Sequence, residues 1–163
     1  MAFTLEDLLE GVRSSRNSLL KHLRGVKGDQ WLWKPYPECK SIRETLQHLL
    51  WVDRTALDSL HGSPPEDWLP LIDKINAETA GDNIESLLEA IAQSLEALLS
   101  YFQENFTDAP LETTVTLWGS EKKLGVAVAY LTSENFYHAG QIAFIRLATD
   151  PDWNYYPAIY GEA

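Results

Sequence analysis

Glu134 and His138 are the two side chains of this sequence best placed to do chemistry together. They stand four apart in Glu-Asn-Phe-Tyr-His-Ala-Gly-Gln, residues 134–141. In a helix that spacing puts both on one face, one turn apart. A carboxylate and an imidazole aimed the same way are two-thirds of a metal site, because such sites take at least three protein ligands. The third must come from elsewhere, and His48 is the best candidate. The plain alternative for Glu134 and His138 is an i,i+4 pair worth a few tenths of a kcal/mol. Gln141 would either hold a ligand in place through its amide or cap a neighbouring carbonyl. His22 and His61 have no matched partners and are read as solvent-facing. Cys39 lies just before a helix start, where a helix dipole lowers a thiol pKa. Nothing pairs with it, so a passive surface or packing role is expected. No nucleophile triad, phosphate-binding glycine loop or cysteine-rich zinc motif accompanies these residues.

Composition limits the partners. The formal charge is −11, from 13 Lys and Arg against 24 Asp and Glu. A nucleic-acid protein needs a basic face that this balance cannot build, and an anionic membrane is disfavoured for the same reason. The single cysteine rules out an internal disulfide and fits a reducing compartment. No apolar run approaches the roughly 18 residues of a membrane span. The N-terminus lacks the basic and apolar regions of a signal peptide. A cytoplasmic protein is expected, folded as one domain over residues 1–163. Six Trp and seven Tyr would fill a core and line a pocket.

Four helices must position the candidate ligands. The first covers residues 4–24, opened by a Thr4–Asp7 capping pair and closed by Gly25 and Gly28. Leu5, Leu9, Val12, Leu19 and Leu23 recur on one side. Arg16 falls inside that stripe, either snorkelling at its flank or buried as a cation that meets a substrate carboxylate. An extended connection with Pro35 and Pro37 leads to Ser41-Ile-Arg-Glu44, a strong capping box that opens a second helix ending near Leu60. Residues 62–81 are read as a long connection with short helical turns near 66–69 and 75–79, and Trp68 as an anchor or lid. The third helix starts at Asp82 or Asn83, with Asp82 and Glu85 as its cap pair, and ends near Asn105. Residues 107–124 are irregular or a short hairpin turning at Gly119-Ser120. The fourth helix spans about 125–148. Its apolar side is read as Val126, Ala129, Tyr130, Phe136, Tyr137, Phe144 and Leu147, beside a side with Glu134, His138, Gln141 and Ile145. Gly140 in mid-helix suggests close approach of another helix. The aromatic tail from Asp150 is expected to fold back. The fold class is therefore all-α, a four-helix bundle, whose facing helices can bring His48 to Glu134 and His138.

These residues resemble the DinB/YfiT superfamily of metal-dependent bundle proteins. The resemblance is carried by Arg16-Asn-Ser-Leu-Leu, by Ser41-Ile-Arg-Glu-Thr-Leu-Gln-His48-Leu and most strongly by His138-Ala-Gly-Gln-Ile-Ala-Phe-Ile-Arg146. It covers nearly the whole chain. It implies a metal held by one histidine of the second helix and two of the last, in a His-x-x-x-His-x-Gly-Gln pattern. His48 and His138 match. The remaining histidine position holds Glu134, a departure that leaves two imidazoles and one carboxylate, a set found in zinc hydrolases and non-haem iron sites. The implied cofactor is a divalent metal, nickel, zinc or iron. The implied activity is that of an S-transferase acting on low-molecular-weight thiols, or a hydrolase, on a small-molecule substrate. The alternative is a bundle without metal that binds small molecules or serves as a stress-linked interaction module. Tyr137, Tyr130, Trp51 and Trp68 would line the pocket, with Arg16 and Gln141 nearby. A homodimer is expected by the resemblance, and because a helical face with several tryptophans would otherwise be exposed.

Overall fold

Thr4 and Asp7 cap each other. The Thr4 N–H donates to Asp7 Oδ2 at 2.9 Å, and the Asp7 N–H donates to Thr4 Oγ1 at 3.2 Å. This satisfies donors that a helix start leaves open. The structure, a computed structural model, describes residues 3–63, 69–79 and 83–161. Helix α1 (Leu5–Lys21) buries Leu5, Leu9, Val12 and Leu19 at the expected spacing. It tightens into i→i+3 bonds over residues 22–24, and Gly25 takes the left-handed conformation (φ +73°) that ends it. After a 3₁₀ turn (Gly28–Trp31), Ser41 opens α2 (Ile42–Leu60). Its N–H donates to Glu44 Oε2 at 2.8 Å, and the Glu44 N–H donates to Ser41 Oγ at 3.2 Å.

Among the described residues, the connection after α2 contains a ten-residue helix, α3 (Leu69–Glu78), longer than the short turn expected near 75–79. Pro70 is tolerated because the first helical N–H groups have no intrahelical partner. Ile75 is fully buried and Thr79 accepts a 2.8 Å bond from Gln47 Nε2, which together anchor this helix. Trp68, the rest of the expected turn near 66–69, and Asp82 lie outside the described residues. Helix α4 (Ile84–Phe106) is capped by Asn83, whose side chain accepts from the Ser86 N–H at 2.8 Å. The cap is thus Asn83, one of the two expected starts, three residues before the Ser86 N–H, and Asp82 of the expected Asp82–Glu85 pair falls outside the described residues. Strands β1 (Thr114–Leu117) and β2 (Ser120–Lys123) form an antiparallel hairpin with Leu117 opposite Ser120. It turns at Trp118-Gly119, one residue earlier than expected, with φ of +49° and +70°. Positive φ at both central residues is the twist a two-residue hairpin needs. A 2.8 Å bond from Trp118 Nε1 to Thr55 Oγ1 holds the bulky residue there. The chain ends in α5 (Leu124–Thr149) and α6 (Tyr155–Tyr160).

The chain divides into two compact units. Met1–Leu9 with Leu46–Val128 is one; its core includes Leu46, Leu49, Leu50, Ile75, Leu87, Ile91, Leu98, Leu99, Phe102 and Leu117. Glu10–Thr45 with Ala129–Ala163 is the other, built on Val12, Leu19, Ile42, Leu131, Ile142, Ile145 and Ile159. The long helices are α1, α2, α4 and α5, and no helix among the described residues is long and apolar enough to cross a membrane.

The phase of α5 corrects one expectation. Val126, Tyr130, Phe136, Tyr137, Phe144 and Leu147, read as its buried side, are all exposed. The buried side is Leu124, Ala127, Val128, Leu131, Asn135, His138, Ala139, Ile142, Ala143, Ile145 and Arg146. Small residues let the backbone sit close to its neighbours, so the bulkier aromatics point outward. A Cβ added at Gly140 would meet nothing within 4 Å among the described residues, so the close approach expected there is not seen among them. In a helix interior that glycine costs about 1 kcal/mol against alanine.

Candidate functional site

Within α5, the four-residue spacing sets Glu134 and His138 side by side. Glu134 Oε2 lies 3.3 Å from His138 Nε2, with the imidazole buried and the carboxylate partly so. The other ring nitrogen, Nδ1, lies 2.8 Å from Gln141 Oε1. An amide oxygen only accepts, so with Gln141 in this orientation Nδ1 carries the hydrogen. That leaves the Nε2 lone pair on the side of the carboxylate. Two lone pairs at 3.3 Å repel unless a cation lies between them, either a proton on Nε2 or a metal ion. In a tetrahedral site with metal–ligand bonds of about 2.1 Å, neighbouring ligand atoms are about 3.4 Å apart, close to this separation.

Tyr130 lies one turn before Glu134, and its hydroxyl hydrogen-bonds the Glu134 carboxylate. That bond, with a smaller contribution from burial, holds the phenol pKa above its usual value. The bond also orients the carboxylate. Tyr130, Glu134, His138 and Gln141 thus form one polar line along α5. Its Tyr130 link was legible only as a spacing, since the ring belongs to the face read as core. On α2, His48 is half-buried and stacks on Trp51 with centroids 5.5 Å apart. His48, Glu134 and His138 each offer one ligand atom, and these atoms all lie within 4.8 Å of one another. The three residues singled out by type and spacing are therefore brought together.

The DinB superfamily pattern matches residues 12–142, more than half of the chain. The protein belongs to the DinB superfamily. A comparison with curated proteins gives no match. The chain presents a His/Glu/His group, His48, Glu134 and His138. The donor set fits a divalent cation, since two imidazoles and a carboxylate are ordinary ligands of zinc and of iron.

Arg16 is buried at 4% exposure and does not snorkel; its Nε donates to Asn135 Oδ1 at 2.7 Å. Asn135, fully buried, turns its amide to Val12 O and Ser15 Oγ. Asn135 was missed because an Asn between Glu134 and an aromatic run gives no spacing signal of its own. His22 is buried, not solvent-facing, because the turn after α1 tucks it beside Trp153 and Tyr155 of the tail. His61 is exposed, edge-on to Tyr101, and Cys39 is exposed. Tyr137 packs its exposed ring edgewise on His138 at 5.0 Å.

Proposed function

We propose that this DinB-superfamily protein is a metal-dependent enzyme whose divalent cation is held by His48, Glu134 and His138. The observation that carries the reading is the lone-pair arrangement at Glu134 and His138, with the Gln141 amide fixing the imidazole tautomer. Metal-ligating histidines ordinarily donate their second ring N–H to such an acceptor. A bound cation of this type lowers the pKa of its water towards about 7 or holds a thiolate. The chain's own residues supply orientation. Tyr130 steadies Glu134, Gln141 steadies His138, and Trp51 stacks against His48. Three protein ligands leave room for a small-molecule substrate, with S-transfer or hydrolysis as the reaction and nickel, zinc or iron as the metal.

The wider reading is a four-helix bundle of α1, α2, α4 and α5, in a single cytoplasmic domain over residues 1–163, with a second copy as partner. The boundaries between the two compact units fall inside α1, α2 and α5 instead of in linkers, which supports one domain.

One observation favours a second reading. A proton on Nε2 would make Glu134 and His138 a self-sufficient ion pair. The protein would then be a metal-free small-molecule binder or stress-linked interaction module. Elemental analysis of untagged protein separates the two. One equivalent of metal in the wild type, lost in His48→Ala and in His138→Ala, is expected. Sub-stoichiometric metal that neither substitution changes would overturn the metal reading.

A further inference from the structure

Between the connection that precedes α2 and one side of α5 lies a cavity of about 620 Å³. That is within the roughly 300–1,000 Å³ of small-molecule sites. Both walls belong to one compact unit. Its aromatic lining is the exposed rings of Tyr36, Tyr137 and Phe144. Gly140 lines it too. A Cβ there would meet no atom within 4 Å among the described residues, so a larger side chain would stand in the cavity. A mid-helix glycine costs stability, and here it keeps that space open. The wall before α2 is held in shape. Pro35 and Pro37 restrict its backbone, and the Cys39 N–H donates to Tyr36 O at 3.0 Å.

Three polar side chains complete the lining. Glu38 and Lys40 are exposed and oppositely charged, and among the described residues neither has an ion-pair or hydrogen-bond partner. They line one cavity without meeting each other. Gln141 gives its oxygen to His138 Nδ1 and keeps its NH2 as a donor.

We propose that this cavity is a second ligand site and that it takes a small aromatic zwitterion of the amino-acid class. It is separate from the group of His48, Glu134 and His138, none of which lines it, and it stands without the metal. The ligand's ring packs on Tyr36, Tyr137 and Phe144, whose faces and edges suit another aromatic. Its carboxylate meets Lys40 and the Gln141 NH2, and its ammonium meets Glu38. A ligand with one charge leaves Glu38 or Lys40 without a counterpart. Charge complementarity of this kind sets specificity more than raw affinity.

Calorimetric titration of the full chain tests it, on metal-loaded and chelator-treated protein alike. The probes are tryptophan, tryptamine, which lacks the carboxylate, and indole-3-propionate, which lacks the amine. Tryptophan is expected to bind with one equivalent in both preparations. Each analogue binds at least about 10-fold more weakly, the scale of one hydrogen bond to a charged group. Lys40→Ala brings tryptophan down to the level of tryptamine, and Glu38→Ala to that of indole-3-propionate. Gly140→Leu fills the cavity and removes binding of all three probes. Leucine has open space there and favours helix, so circular dichroism reports a folded protein. Tryptophan that binds only when metal is present sits on the cation and overturns the proposal. So does an analogue that binds as tightly as tryptophan, binding that Gly140→Leu leaves unchanged, or a wild type that binds none of the three.

Discussion

Nδ1 of His138 lies 2.8 Å from the side-chain oxygen of Gln141, three residues further along the same helix. The contact does more than fill a hydrogen-bond vacancy. It fixes which nitrogen carries the proton, and so aims the basic Nε2 at Glu134 Oε2, 3.3 Å away. Gln141→Leu keeps the size of the side chain and removes the acceptor. The imidazole can then adopt the other tautomer, and divalent-metal affinity is expected to fall about 10–100-fold with the fold retained. Gln141→Glu, which accepts more strongly, restores it. Competition against a chelator of known affinity measures both, and wild-type affinity in Gln141→Leu would remove the amide from the site.

Glu134 is the one carboxylate of the His/Glu/His group, so the substitution that makes the set three imidazoles is informative. Glu134→His is expected to retain one equivalent of metal and to favour zinc or nickel, since imidazole suits both. Glu134→Ala leaves two ligands and is expected to lose the metal. Where metal binds at 100 times its dissociation constant, stripping it lowers stability by about 2.7 kcal/mol. Thermal melts with and without chelator therefore separate the two variants. A Glu134→Ala protein that still melts lower after chelation would place the metal elsewhere.

The position of this site was legible because its evidence is local. A four-residue spacing on one helix and a capped second helix carrying His48 need no knowledge of packing. Helix α4 was equally clear, since Glu85, Glu89 and Glu96 mark its outer side and phase the leucines between them. Helix α5 was not. It is apolar nearly all round, and both of its charged residues, Glu134 and Arg146, turn inward. With no polar side to set the phase, the large aromatics and Ala129 were read as the apolar side, whereas the packing takes Ala127, Ala139 and Ala143 inside. Arg16 and His22 misled for a related reason. Each is buried by partners more than a hundred residues away, Asn135 for one and the Trp153–Tyr155 tail for the other. Sequence spacing carries no trace of such contacts.

Burial of His22 makes the fold sensitive to mild acid. Burial depresses its pKa below the ordinary imidazole value, partly opposed by the Ser18 and Leu19 carbonyls, with the nearby Arg146 charge adding to the depression. The Trp153 and Tyr155 rings pack against it without supplying a countercharge. The folded state therefore favours the neutral ring. In the unfolded chain the ring takes up a proton near pH 6.5, and in the folded chain only at lower pH. Stability contributed by neutral His22 is full above about pH 6.5 and is lost as pH falls through the folded value. Urea midpoints should drop across that window in the wild type and drop less in His22→Phe. Glu44 acts in a separate, more acidic window. Partial burial alone would raise its pKa, but the Lys34 ammonium and the Ser41 N–H hold it below the usual carboxylate value. Equal slopes in wild type and His22→Phe near pH 6 would show that His22 does not titrate with unfolding.

Arg146 closes the C-terminal end of α1 from a distance in sequence. Its Nη1 donates to the carbonyls of His22 at 3.1 Å and Arg24 at 2.8 Å, and Nη2 reaches Asp150 Oδ2 at 3.2 Å. The guanidinium carbon sits 4.9 Å from the Trp153 ring centroid. One planar fork thus satisfies two carbonyls of the turn after α1, pairs a carboxylate and stacks on an aromatic ring, a combination that a lysine ammonium cannot reproduce. Arg146→Leu leaves those carbonyls and Asp150 without their donor and is expected to cost about 3–5 kcal/mol, the range for breaking a buried pair. Arg146→Lys keeps the charge but not the fork, and should cost about 2 kcal/mol, comparable to one hydrogen bond to a charged group. Chemical denaturation of the two variants gives both numbers. If Arg146→Lys proved as stable as the wild type, the closure would rest on charge alone and the fork geometry would be incidental.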